Sequence, residues 1–188
     1  MRLCQDSPHT ARLLCYKPVL FFASMPMKLD SFDQKILRIL QDEGRLTNVE
    51  LAKRIGLSPS PCLRRVKRLE AERIIEGYGA RINRRACGLG VTVFVEVKLD
   101  RHREEDAERY RKAIRGLAEV VSCHIISGEA DFLLEVVVGD LDQYSEFVLK
   151  KLRQIAGVKD MHSSFALETV KSSQPLPLNR ILETKKLR

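Results

Sequence analysis

The chain has 188 residues with no Trp, 44% apolar content, and 33 Lys and Arg against 25 Asp and Glu, a net charge of +8. That supports one large packed domain or two small ones, and the basic balance suits a polyanionic partner, whether nucleic acid or an anionic membrane surface. The five cysteines, Cys4, Cys15, Cys62, Cys87 and Cys123, form no CxxC pair, and His9, His102, His124 and His162 are not spaced to join them. This excludes the common zinc frameworks and predicts reduced thiols in a cytoplasmic protein with no metal and no cofactor.

The head, residues 1–27, contains LLCYKPVLFFA, which resembles a short secretory segment. Lys17 and Pro18 cut it in two, and it falls short of the ~20 apolar residues that span a bilayer, so neither a secretion signal nor membrane insertion is expected. The head is predicted to be a disordered extension, with Cys4 and Cys15 as candidate reactive thiols and Met25 or Met27 as a possible native start. From Leu29 to Asp42, Phe32, Ile36, Ile39 and Leu40 recur at helical spacing behind a cap at Asp30 or Ser31.

The stretch TNVELAKRIGLSPSPCLRRVKRL, residues 47–69, reads as two short helices joined by a tight turn. Thr47 and Glu50 fit a capping box, Gly56 fits a left-handed helix end, and Ser58 followed by Pro59 fits the start of the next helix. A helical projection places Leu63, Val66 and Leu69 on one stripe with Cys62 beside it, and fans Arg64, Arg65, Lys67 and Arg68 over the rest. In a helix-turn-helix the second helix enters the major groove N-terminal end first, and Arg pairs well with guanine. Ser60, Arg64 and Arg65 are therefore candidates for base edges, Lys67 and Arg68 for phosphates, and Ser58 for the helix start. A short hairpin-like piece after Leu69, with turns at Gly77 and Gly79, predicts a winged variant to which Arg73 and Arg81 add backbone contacts.

NRRACGLG, residues 83–90, reads as a linker. VTVFVEVKL then alternates, with Val91, Val93, Val95, Val97 and Leu99 on one side. A helix over 104–117, strands over 120–126 and 132–138, a helix over 141–155 and a strand over 158–170 complete the order βαββαβ, the ferredoxin-like arrangement. Phe94, Ile126 and Val137 on the sheet face away from the helices predict an apolar surface that a second copy covers. The fold class is α+β, with a winged helix-turn-helix DNA-binding domain over 28–82, a linker over 83–90, a ferredoxin-like domain over 91–170 and a basic tail over 171–188. Pro175 and Pro177 predict that the tail is extended.

The runs LDSFDQKILRILQDEGRLTNVELAKRIGLSPSPCLRRVKRLE, IIEGYGARIN, EVVSCHIISGEADFLLEVVVGDLDQY and VKDMHSSFALETVK resemble the Lrp/AsnC family, the leucine-responsive or feast/famine transcriptional regulators. The resemblance implies double-stranded DNA as partner, a homodimer that associates into tetramers or octamers, and a small-molecule effector, usually an amino acid, in clefts between dimers. It makes the domain over 91–170 the effector-binding and oligomerisation domain, and implies an effector site at the turn Gly128, Glu129, Ala130, Asp131, where N–H groups and a carboxylate suit the two ends of a zwitterion. Ser163 and Ser164 on the last strand offer hydroxyls. The chain departs from the family at Arg73, where Gly is usual: a left-handed backbone there carries roughly 1 kcal/mol of strain. The implied mechanism is a switch in assembly that changes which DNA sites are occupied. Two other readings stay open. One is an enzyme like the haem-pathway decarboxylases of similar fold, using His124 and His162; the other is a nonspecific DNA-packing protein.

Overall fold

The computed structural model of the chain describes residues 29–100, 104–172 and 174–178. The expectations for the head, with Cys4, Cys15, Met25 and Met27, and for the last ten residues lie outside that range. The chain divides into two units: Ile82–Thr169 form one, and residues 29–81 with 170–178 form the other.

In the unit that contains residues 29–81, α1 (Ser31–Asp42) begins where Asp30 turns extended and its carboxylate accepts the N–H groups of Phe32 and Asp33, both at 2.9 Å. Asp33 completes the box by accepting the Asp30 N–H at 3.1 Å,. The same device starts α2 (Asn48–Ile55): Glu50 accepts the Thr47 N–H at 2.9 Å and donates its own N–H to the Thr47 hydroxyl. Gly56 ends α2 at φ 75°, a conformation that costs glycine little,. The third helix, α3 (Pro59–Ala71), follows an extended Ser58 whose hydroxyl makes no capping bond. Instead, the Asn48 side-chain amide donates to the Pro59 carbonyl at 2.8 Å and pins the start of α3 to the start of α2.

The core of this unit is Ile36, Leu37, Leu51, Ala52, Ile55, Cys62 and Leu69, with Leu57, Val66, Ile74 and Ile75 packed around it. Cys62, Val66 and Leu69 recur at i, i+4 and i+7 and form the inward stripe of α3. Leu63, expected on that stripe, is 42% exposed, because it stands one residue and so about 100° round the helix from Cys62,. After Ala71 the chain closes in a Schellman motif: the Arg73 N–H donates to Glu70 and the Ile74 N–H to Leu69, at 3.0 and 2.9 Å,. The residue in the left-handed position is Arg73, at φ 53°. The wing segment that follows is open chain to Asn83, without strand pairing within one copy. The tail residues 170–172 and 174–178 pack in this unit, with the Leu176 N–H donating to Gln41 Oε1 at 2.6 Å, Arg81 3.5 Å from the Ser172 hydroxyl, and Leu178 against the core.

The other unit runs β1 (Val91–Leu99), α4 (Glu104–Arg115), β2 (Val120–Ile125), β3 (Phe132–Val138), α5 (Leu141–Lys150), β4 (Val158–Phe165). Its antiparallel sheet has the order β2-β3-β1-β4, the ferredoxin-like topology. Strand alternation delivers Val93, Val95, Val97, Phe132, Leu134 and Val136 to one face, where Ala107, Tyr110 and Ile114 of α4 and Tyr144 and Phe147 of α5 cover them. Helix α5 stops at Lys150, and a 3-10 turn buries Leu152, so the apolar pattern outlasts the helix. Strand β4 stops at Phe165: after the Ala166 N–H reaches Thr92, the partner strand β1 has run out.

The far sheet face differs from expectation. Val137 is buried within the single chain and Ile126 is half-buried, leaving Phe94 at 41% exposure. By strand alternation Glu96, Lys98, Glu135, His124 and His162 share that face, and Arg84 pairs with Glu135 at 2.7 Å. The face is mixed rather than apolar. Exposed apolar residues lie instead also along both edge strands, Val121 and Ile125 on β2 and Phe165 on β4.

Candidate DNA interface and effector turn

Helix α3 has three faces. The inward face is Cys62, Val66 and Leu69. The outward face is Ser60, Leu63, Arg64 and Lys67, all exposed and spaced i, i+3, i+4, i+7, so they form one stripe beginning at the helix N-terminus,. Leu63 faces solvent and not the core, and the i, i+4, i+7 spacing of Cys62, Val66 and Leu69 is the sequence signal that leaves it outside.

The third face meets α1. Arg65 donates to Asp33 Oδ1 at 2.9 Å and to Asp30 Oδ2 at 2.6 Å, and Arg68 donates to Asp33 Oδ2 at 2.6 Å. The Asp33 side chain is wholly buried, whereas Arg65 and Arg68 keep 26% and 46% of theirs exposed. The Arg65 guanidinium also lies 5.4 Å from the Phe32 ring centroid, a cation–π distance,. The Asp30 bond, followed by the Asp33 bond, raises the Arg65 pKa further. Burial pushes the Asp30 carboxyl up, but the Asp33 N–H and Arg65 outweigh it and hold it below its ordinary value.

Of the sequence-predicted DNA residues, the structure therefore brings Ser60, Arg64 and Lys67 together on an open stripe, with Ser58 beside them at the helix start. It commits Arg65 and Arg68 to carboxylates of α1, and it places Arg73 at the exit of α3. A signal for this was present. Asp33 stands at i−3 and i−4 from the buried Ile36 and Leu37, an acidic residue on an apolar stripe, which asks for a cationic partner from another helix,.

The predicted effector residues do not form one site in a single copy. Gly128 (φ 133°) and Glu129 are exposed in the β2–β3 turn and Ala130 is half-buried, but Asp131 is 8% exposed. The Asp131 carboxylate accepts the Leu99 N–H at 2.8 Å, its N–H donates to Val97 at 2.9 Å, and its carbonyl accepts the Ile126 N–H. Asp131 thus ties the turn to β1. Ser163 pairs with the Tyr144 hydroxyl at 2.5 Å on the helix side, while Ser164 lies opposite Phe94 on the other side of the sheet. Next to the turn, a cleft of about 440 Å³ opens between α4 and β2, with Ile125 and Phe132 as apolar walls and Arg111, Arg115 and Cys123 at its sides. Burial pushes the Cys123 thiol pKa up, which makes it a poor nucleophile,. His124 lines the same cleft, but His162 stands on the opposite edge strand, so the two histidines are not brought together. Among the described residues no group of His, Cys, Asp and Glu could hold a metal ion, and no helix is long and apolar enough to cross a membrane.

An exposed helix-turn-helix stripe joined in one chain to a ferredoxin-like domain with a turn-side cleft defines a DNA-binding transcriptional regulator with a ligand-binding domain. Two family models match it: winged helix-turn-helix DNA-binding over residues 29–76, and Lrp/AsnC ligand binding domain over residues 92–176. The leucine-responsive regulatory proteins of Klebsiella pneumoniae and Escherichia coli K12 are each 41% identical over 148 residues, 79% of this chain and 90% of theirs. A Neisseria meningitidis transcriptional regulator solved with L-Met is 44% identical with a TM-score of 0.78, over 82% of this chain and 99% of that one. An AsnC family regulator of Agrobacterium tumefaciens is 36% identical with a TM-score of 0.77, over 82% and 100%. The chain belongs to the Lrp/AsnC family of transcriptional regulators.

Proposed function

We propose that the protein is a sequence-specific, cytoplasmic regulator that reads DNA with the outward stripe of α3 and changes its assembly, and so its occupancy of sites, when it binds an amino acid. The observation that carries the DNA half is the stripe Ser60, Leu63, Arg64, Lys67, exposed along one line from the helix start. Arg64 suits guanine O6 and N7, Leu63 suits a thymine methyl, and Lys67 suits a phosphate. Ser58 and Arg73 flank the stripe at its two ends as further backbone contacts. Arg65 and Arg68, held by α1, brace the helix and are withdrawn from this set as direct readers.

In the effector half, Asp131 and Ser163 are engaged within the chain, by Leu99 and Tyr144. The reading is that the exposed Gly128–Glu129 corner meets the polar ends of the ligand, that the adjoining cleft takes its side chain, and that a second copy closes the site. The exposed apolar residues on the two edge strands support self-association,. The Neisseria regulator's complex with L-Met supports an amino acid as the class of ligand.

The test is a genomic DNA pull-down with sequencing, then titration of the enriched fragment with and without a panel of amino acids, alongside light scattering for assembly. A site with half-sites about one helical turn apart, weakened by Arg64→Ala, is expected. Uniform, salt-sensitive binding without enrichment would indicate a packing protein. Assembly and footprints that ignore every amino acid would remove the effector half.

A further inference from the structure

Four cations lie in the run LRRVKRL, yet two of them face a wholly buried carboxylate on another helix. Asp33 takes Arg65 on one oxygen and Arg68 on the other, and Asp30 takes Arg65 again. Two negative and two positive groups close a neutral cluster at the junction of α1 and α3. Its geometry is over-determined: the same two carboxylates form the capping box that starts α1. A buried anion cannot be left unpaired without cost, so the cluster fixes how far α3 is rotated about its axis against α1.

We infer that Asp33 is a positioning residue of the DNA interface, which holds Arg65 and Arg68 out of phosphate binding and sets the rotation of α3 so that Leu63, Arg64 and Lys67 meet the groove. This rests on the proposed reading of α3 as the DNA-contacting helix. Its consequence concerns specificity. Free arginines beside the groove add sequence-independent affinity, because each phosphate neutralised releases counterions from any DNA. Holding two of them within the protein keeps that background low while the outward stripe reads bases.

The inference separates from simple helix bracing by the salt dependence of binding. The experiment uses the full chain, the genomic fragment that the unaltered protein enriches, and a random duplex of equal length. Asp33→Asn keeps the side-chain volume and removes the charge. It should steepen the slope of log K against log salt by about 0.9 for each guanidinium released, and lower the fragment-over-random ratio at least about tenfold. Arg68→Gln, at a half-exposed position, tests the same idea while Arg65 still pairs with Asp33: its salt slope should match the unaltered protein. A slope shallower by about 0.9 in Arg68→Gln would show that Arg68 contacts phosphate and overturns the inference, even if Asp33→Asn fails to fold. A folded Asp33→Asn variant with unchanged slope and ratio also overturns it. In both cases the DNA-reading proposal survives, provided Arg64→Ala still weakens binding; absence of binding by the unaltered protein removes both.

Discussion

Replacing Arg73 by Gly should stabilise the DNA-binding unit. Arg73 occupies the left-handed position of the Schellman motif at φ 53°, where a Cβ crowds the following carbonyl,. The motif is otherwise complete, since the Ile74 and Ile75 N–H groups both reach the Leu69 carbonyl and Ile74 packs on the core with Leu69. Removing the Cβ relieves about 1–2 kcal/mol of strain, and the extra freedom of Gly in the unfolded chain takes back about 0.4–1 kcal/mol. The net gain is roughly 1 kcal/mol, which for a unit of this size raises its thermal midpoint by about 4–8 °C. Calorimetry or circular dichroism of Arg73→Gly beside Arg73→Ala reads it. Ala keeps the Cβ and the strain, so it should fall within about 0.5 kcal/mol of the unaltered protein. Equal losses in both variants would mean that contacts of the Arg side chain, and not backbone strain, govern this corner, and would refute the reasoning.

Three further outcomes follow from the same geometry. The Asp30 carboxyl is held below its ordinary value in the folded state, so its contribution is complete above the unfolded pKa of about 4 and disappears as the pH falls through the folded value; the stability profile of Asp30→Asn, by urea titration from pH 3 to 7, should be flatter at the acid end,. A stop after Ser172 removes the Leu176–Gln41 hydrogen bond and the half-buried Leu178, and should lower the stability of the DNA-binding unit by about 1 kcal/mol while leaving the other unit's transition in place,. Ser163→Ala should cost about 1 kcal/mol through the lost Tyr144 bond, and Ser164→Ala close to nothing; an amino-acid response lost only with Ser164→Ala would place the ligand on the far sheet face,.

Caps and periodicity carried most of the fold, because they are local. Thr47 with Glu50, Gly56, and the alternation from Val91 to Leu99 each act within a few residues, and each reads directly in the chain. The candidate site was less legible because its decisive contacts are not local. Arg65 and Arg68 look free in a helical projection, and only the docking of α1 brings Asp33 to them across 32 and 35 residues. Likewise the GEAD turn reads as a ligand corner, while the 2.8 Å bond from Leu99 to Asp131 belongs to the pairing of distant strands. Ser163 and Ser164 are neighbours in sequence, and strand alternation alone should have set them on opposite faces. The far face is mixed for a related reason: strand pairing, which is not local, brings Glu135 and the two histidines beside Phe94 and Glu96.

The DNA-binding unit is discontinuous in sequence, built from residues 29–81 and from residues 170–178 after the chain has passed through the other unit. During translation the three helices leave the ribosome early, but Leu178 emerges only after the whole ferredoxin-like unit has been made. The reader's core is therefore completed late, after the ferredoxin-like unit has been synthesised. A frameshift or an insertion just before Leu176 acts on the reader, although it lies beyond the other unit in sequence.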